Sequence, residues 1–125
     1  MTEFDRPEVV VAVAAAFDDY EKALGAGDVD ALMAFFWDSA DVVRFGVADE
    51  QWGTGQLWEF RRANPGVPAG RTLSQTAIST FGADTAVVST LFTYPDGTAL
   101  GRQSQIWRLI EGEWRIVHAH VSEHR

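Results

Sequence analysis

A tyrosine, an arginine, two glutamines and three histidines in this chain occupy positions where their chemistry could be used. Tyr20 falls on an apolar stripe formed by Val10, Val13, Phe17 and Leu24, spaced at three and four residues. A phenol buried on such a seam needs a polar partner, either a backbone carbonyl or a ligand. Arg44 sits in the short β-rich run Val42-Val43-Arg44-Phe45. Its guanidinium keeps its charge, so it must meet a carboxylate such as Asp38 or Asp41, or an anionic ligand. Gln103 and Gln105 alternate along a later strand, where side chains two apart share a face. With Ser89 they would line a polar cavity or lie on an exposed sheet face. His118 and His120 also share one side of a strand, but catalytic zinc normally has three protein ligands and no third is placed here, so no metal is expected.

These residues need a scaffold, and the apolar spacing supplies one. Pro7 suits the first turn of a helix that Gly25-Ala26-Gly27 stops. Asp28 can cap a second helix with Val29, Leu32, Phe35 and Phe36 on its apolar side, ending near Asp38 to Asp41. Gly46 to Gly55 reads as a loop, and Gln56 to Ala63 as a third helix closed by Asn64-Pro65-Gly66. From Arg71 the period becomes two, predicting strands over 71–81, 84–94, 98–110 and 113–122 joined by tight turns. Helices followed by a meander predict an α+β domain spanning residues 1–125, its helices on one face of a curved antiparallel sheet.

Hairpin spacing assigns neighbours. With Ile110 opposite Glu113, Trp107 faces Ile116, Gln105 faces His118 and Gln103 faces His120, and the preceding hairpin adds Val87 and Ser89 to that side. One bulge in the last strand would move His118 and His120 to the opposite face.

Composition narrows the function classes. Hydrophobic residues make up 46% of the chain, including eight Phe, five Trp and two Tyr, which is far too apolar for a disordered segment. The longest apolar run, Val9 to Phe17, is about half of a bilayer span, and the start Met1-Thr2-Glu3-Phe4-Asp5 is acidic, so neither a membrane segment nor an export signal is expected. With no cysteine there is no disulfide framework or thiolate chemistry, which fits the cytoplasm. A net charge of −8 disfavours nucleic acid. Residues 1–59 hold 13 acids against three bases, whereas residues 60–125 hold five acids against seven bases. The cationic second half is built from arginine, whose planar fork suits carboxylates. No phosphate loop, nucleophile elbow or zincin helix is present, and no cofactor is expected.

The element order, Tyr20 on the first helix, Arg44 on the first strand and the closing run Trp114 to Ser122 together resemble the nuclear transport factor 2-like (SnoaL-like) superfamily, whose fold is a cone around one pocket. Within it, Phe36-Trp37-Asp38, Val43-Arg44-Phe45-Gly46, Thr80-Phe81-Gly82 and Gly101-Arg102-Gln103-Ser104-Gln105 are similar to the AtzH and HpxZ group. That resemblance implies decarboxylating amidohydrolase chemistry on small carboxylated ureas such as dicarboxyurea, or oxalurate catabolism. It implies Tyr20 and Arg44 as the catalytic pair, a small anionic substrate and a homodimer, and Gln103 and Gln105 are then expected to hold the substrate. A non-catalytic small-carboxylate-binding or assembly module accompanying a larger amidase is the alternative it leaves open. The group is expected to carry alanine where this chain has His118, which would make this pocket more polar. Ketosteroid isomerase chemistry is not expected, because Arg44 stands near the place of that family's proton-shuttling aspartate and cannot act as the base.

Overall fold

The computed structural model describes residues 3–97 and 99–124. A 20-residue helix, α1 (Pro7–Ala26), opens the fold, with Pro7 in its first turn and Gly27 closing it at φ 67°. Val9, Val13, Phe17, Tyr20, Ala23 and Leu24 form its buried seam. Asp28 then caps α2 (Val29–Met33) by accepting a 3.1 Å hydrogen bond from the Ala31 amide. That helix is shorter than its apolar pattern predicts. The chain leaves it at Ala34 so that Phe36 can bridge in parallel to Ile116.

Strand β1 (Val43–Phe45) pairs antiparallel with β2 (Glu50–Trp52), an element inside the stretch expected to be loop. After α3 (Thr54–Ala63) comes the expected meander of β3 (Thr72–Phe81), β4 (Thr85–Thr93), β5 (Leu100–Ile110) and β6 (Glu113–His124). The expected start of the third meander strand, at residue 98, lies outside the described residues, as do Met1 and Thr2. One six-stranded sheet results, in the order β2-β1-β6-β5-β4-β3, antiparallel except where β1 runs alongside β6. The α+β reading holds.

Strict alternation defines the inner face. Ala86, Val88, Thr90 and Phe92 on β4, and Gly101, Gln103, Gln105 and Trp107 on β5, are buried against the helices. Two bulges bend the sheet. On β3, Gln75 (φ 52°) and Thr76 stand against Thr90 alone, and the Thr76 and Thr90 hydroxyls bond at 2.8 Å. On β6, Val117 is the extra residue. Trp107 still faces Ile116, but Ile106 faces His118, Gln105 faces Ala119, Ser104 faces His120 and Gln103 faces Val121.

That shift corrects the expected pairing of Gln105 with His118 and Gln103 with His120. Both histidines are exposed on the outer face, where His120 packs edge-on to Phe45 at 5.7 Å. A second correction concerns β4. Val87 and Ser89 lie outside, with the Ser89 and Ser104 hydroxyls 2.9 Å apart, while Val88 and Thr90 take the inner positions opposite Gln105 and Gln103.

Phe92 is 4% exposed and lies across the strand from Gly101. A Cβ at Gly101 would run into the Phe92 ring. Gly101→Ala is therefore expected to lower stability by about 1–3 kcal/mol, the usual range for an overpacked core, measurable by denaturant unfolding; an unchanged midpoint would show that Phe92 can move aside.

Candidate functional site

Tyr20 is 3% exposed and wedged in aromatic rings. Phe35, Phe36 and Trp107 meet it edge-on at 6.1, 6.1 and 6.2 Å, and Phe17 stacks at 6.5 Å. Such a cage fixes the ring plane and the direction of its hydroxyl. The phenol faces a cavity of about 160 Å³, which is on the order of five water volumes and so suited to a small molecule. No hydrogen bond from protein to this hydroxyl is found among the described residues. Burial raises its pKa, with the positive charges of Arg61, Arg44 and Arg71 opposing and the negative charge of Glu21 assisting. Tyr20 is thus a neutral phenol at physiological pH.

Arg44 reaches the same cavity from β1 and is 8% exposed. The register sets Arg44 directly across from Gln51, both pointing inward. Arg44 Nη1 donates to Asp49 Oδ1 at 2.8 Å and to Gln51 Oε1 at 2.9 Å, and Gln51 Nε2 donates to the same Asp49 oxygen at 2.9 Å. The ionic partner is Asp49 rather than Asp38 or Asp41. Burial would lift the Asp49 pKa, but the hydrogen bond from Gln51 and the charge and hydrogen bond of Arg44 outweigh it and hold the carboxyl below its ordinary value. Both Nη1 hydrogens of Arg44 are used, which leaves Nη2 and Nε for another partner.

The two glutamines form the floor. Gln105 is 1% exposed, and its Oε1 accepts from Trp107 Nε1 at 3.1 Å, which turns the amide so that its NH2 remains for a ligand. Gln103 accepts from Arg71 Nη2 at 2.9 Å and donates to Glu21 Oε2 at 3.2 Å, bracing the Arg71–Glu21 ion pair. Along this floor the fully buried Trp107–Ile116 pair closes one end. Gln105 and Arg44 come next, both beside Ala119, then Gln103 beside Val121, and finally the half-buried Glu123. Ala119 occupies the place that His118 was expected to fill, so the pocket wall here is alanine and the expected extra polarity is absent.

All four sequence candidates, Tyr20, Arg44, Gln103 and Gln105, line this one cavity, while Ser89, His118 and His120 do not. Sequence reasoning missed Asp49, Gln51, Arg61 and Arg71. The Leu57 to Arg61 spacing of four, which puts both on one face of α3, was the available signal for Arg61. Among the described residues no group of three or more His, Asp or Glu is arranged to hold a metal. No helix among them is long and apolar enough to cross a membrane.

Comparison with known proteins adds to this geometry. A family model described as AtzH-like matches residues 2–125. A solved protein of unknown function of the DUF3225 family from Pectobacterium atrosepticum is 41% identical with a TM-score of 0.94, over 98% of this chain and 96% of that one. A cystatin-like fold protein from Burkholderia xenovorans is also 41% identical, with a TM-score of 0.94 over 97% and 95%. An NTF2-like protein of unknown function from Pseudomonas putida, 19% identical with a TM-score of 0.80 over 94% and 87%, shares the fold. No curated protein matches significantly.

Two titrations test the electrostatics. Burial raises the pKa of Tyr94 as well as Tyr20, and these are the chain's two tyrosines. Ultraviolet titration should show less than half of the tyrosinate signal at pH 10 in the folded protein and a return to the ordinary midpoint of about 10 in denaturant; a folded midpoint at or below 10 contradicts the buried placement. The lowered Asp49 pKa stabilises the fold above the unfolded carboxylate value of about 3.9, and this contribution is lost as pH falls through the lower folded value. Asp49→Asn should therefore flatten the acid limb of the stability profile, and an unaltered limb would show that the ion pair contributes nothing.

Proposed function

The chain belongs to the AtzH-like family, and from that premise we propose that it is a small decarboxylating amidohydrolase acting on a carboxylated urea such as dicarboxyurea in nitrogen-compound catabolism. The observation that carries this reading is the convergence of Tyr20 and Arg44 on a small polar cavity floored by Gln103 and Gln105. Decarboxylation of an N-carboxyurea breaks the bond between nitrogen and the carboxylate carbon. The bonding pair stays on nitrogen, carbon dioxide departs, and the nitrogen takes up one proton.

Each residue has a part in that step. Arg44 holds the departing carboxylate with Nη2 and Nε while Asp49 and Gln51 fix its plane. Asp49 also balances the Arg44 charge, so the carboxylate is oriented without being held too tightly to leave. Tyr20, kept neutral by burial, gives its proton to the departing nitrogen and regains one from water. The Gln105 amide donates to the urea carbonyl, where negative charge gathers as the bond breaks. Gln103 positions the urea edge from within the Arg71–Glu21 bridge. The reading includes a homodimer in the cytoplasm.

A second reading, a carboxylate-binding module without turnover, is favoured by the ion pairs that already occupy much of Arg44 and Gln103. Carbon dioxide release from dicarboxyurea separates the two. The enzyme reading predicts release above the buffer rate, reduced about 10²–10⁴-fold in Tyr20→Phe, the usual worth of a general acid, and comparably in Arg44→Ala. Thermal stabilisation by carboxylates with no excess release supports the binding module instead.

A further inference from the structure

The cavity holds three arginines, and their partners are unequal. Arg44 is paired with Asp49 and Arg71 with Glu21. Arg61, on the inner face of α3 four residues after Leu57, is 4% exposed and forms no salt bridge among the described residues. Its Nε is sealed from solvent with no hydrogen-bond partner, and its guanidinium rests beside the Phe60 ring at 5.2 Å. A position in the last helical turn offers it some compensation from the α3 dipole, but no carboxylate. Burial pushes its pKa down and the nearby positive charges of Arg44 and Arg71 add to that push, while the carboxylate of Asp49 opposes it. A buried cation without a counterion costs stability, and the cost is recovered when an anion arrives.

The proposed reaction decides which anion that is. A carboxylate that departs as neutral carbon dioxide loses its charge on the way to the transition state. An unbalanced cation beside it would hold the ground state more strongly than the transition state and slow the step. The same cation beside a carboxylate that persists through the reaction binds both states equally. Arg44, balanced by Asp49, suits the departing group, and Arg61, unbalanced, suits the group that stays. Resting on the decarboxylase reading above, we infer that Arg61 anchors the carboxylate the reaction keeps, so that the site selects ureas carrying two carboxylates. A urea with one carboxylate would commit it to Arg61 and present its uncharged end to Tyr20 and Arg44, where nothing can be removed. Arg61 is on this account a positioning and specificity residue.

N-carbamoylglycine, a stable urea with a single carboxylate, and its neutral amide are the binding probes; dicarboxyurea is the kinetic one. N-carbamoylglycine should raise the melting temperature of the parent protein and the amide should not. Arg61→Met should melt higher than the parent without ligand, bind N-carbamoylglycine at least about tenfold more weakly, and raise KM for dicarboxyurea by a similar factor with kcat changed by less than about threefold. Arg61→Lys, which keeps the charge, should recover part of the binding and serves as the reporter if Arg61→Met folds poorly. Equal binding of N-carbamoylglycine by Arg61→Met and parent, or a kcat collapse with KM unchanged, overturns the inference. Unchanged dicarboxyurea kinetics in Arg61→Met would remove the anchor and leave the decarboxylase reading standing. Arg61-dependent binding in a parent that releases no carbon dioxide would do the reverse, keeping Arg61 as a carboxylate anchor and ending the decarboxylase reading.

Discussion

Buried positive charge governs this protein's site. Arg44, Arg61 and Arg71 face one small hollow beneath a sheet, and Arg44 and Arg61 are each more than nine-tenths removed from solvent. Like charges confined in a medium of low dielectric repel, and each loses hydration. Asp49, Gln51, Glu21 and Gln103 answer that cost with charge and hydrogen bonds. The compensation stops one residue short, at Arg61. The same field keeps Tyr20 among groups that would favour its ionisation, yet burial prevails and leaves it a neutral phenol.

The sheet gives this arrangement its geometry. Inward positions alternate along β4 and β5, and the Val117 bulge resets β6 so that Ala119 and Val121, rather than two histidines, lie beside the glutamines. Small side chains there leave the hollow open, and the fully buried Trp107 and Ile116 close its inner end. The parallel pairing of β1 with β6 carries Arg44 to the level of Gln105. The short antiparallel partner β2 then supplies Gln51 across from it. The aromatic cage around Tyr20 and the hydrogen bonds of the Arg44–Asp49–Gln51 triangle hold these side chains in fixed orientations.

Much of this was legible in the amino-acid order. Tyr20 stood out as a polar group on an apolar stripe, Arg44 as a charge within a β-rich run, and the glutamines as alternate residues of a strand; all four face the hollow. The bulge left a trace in the sequence, since the apolar phase passes from Trp114 and Ile116 to Val117, Ala119 and Val121 across two adjacent apolar residues, but a continuous hairpin register carried across that step puts His118 and His120 on the wrong face. Ser89 was misassigned because the parity of β4 depends on the exact turn pairing beyond Pro95, which composition does not reveal. Asp49 and Gln51 lay in a segment whose glycines suggest a loop. Arg61 was hidden by its neighbour. Arg61 and Arg62 are indistinguishable in sequence, and packing alone sends one beneath the sheet and leaves the other over Trp58 at 4.8 Å.

The most direct examination of the central claim is a crystal structure of the protein soaked with N-carbamoylglycine. The carboxylate is predicted within hydrogen-bond distance of Arg61, with the urea carbonyl near the Gln105 amide and the far end of the urea beside Tyr20 and Arg44, the Arg44–Asp49 pair intact. Density for the ligand outside the hollow, or a carboxylate that draws Arg44 away from Asp49 and leaves Arg61 untouched, would contradict the assignment.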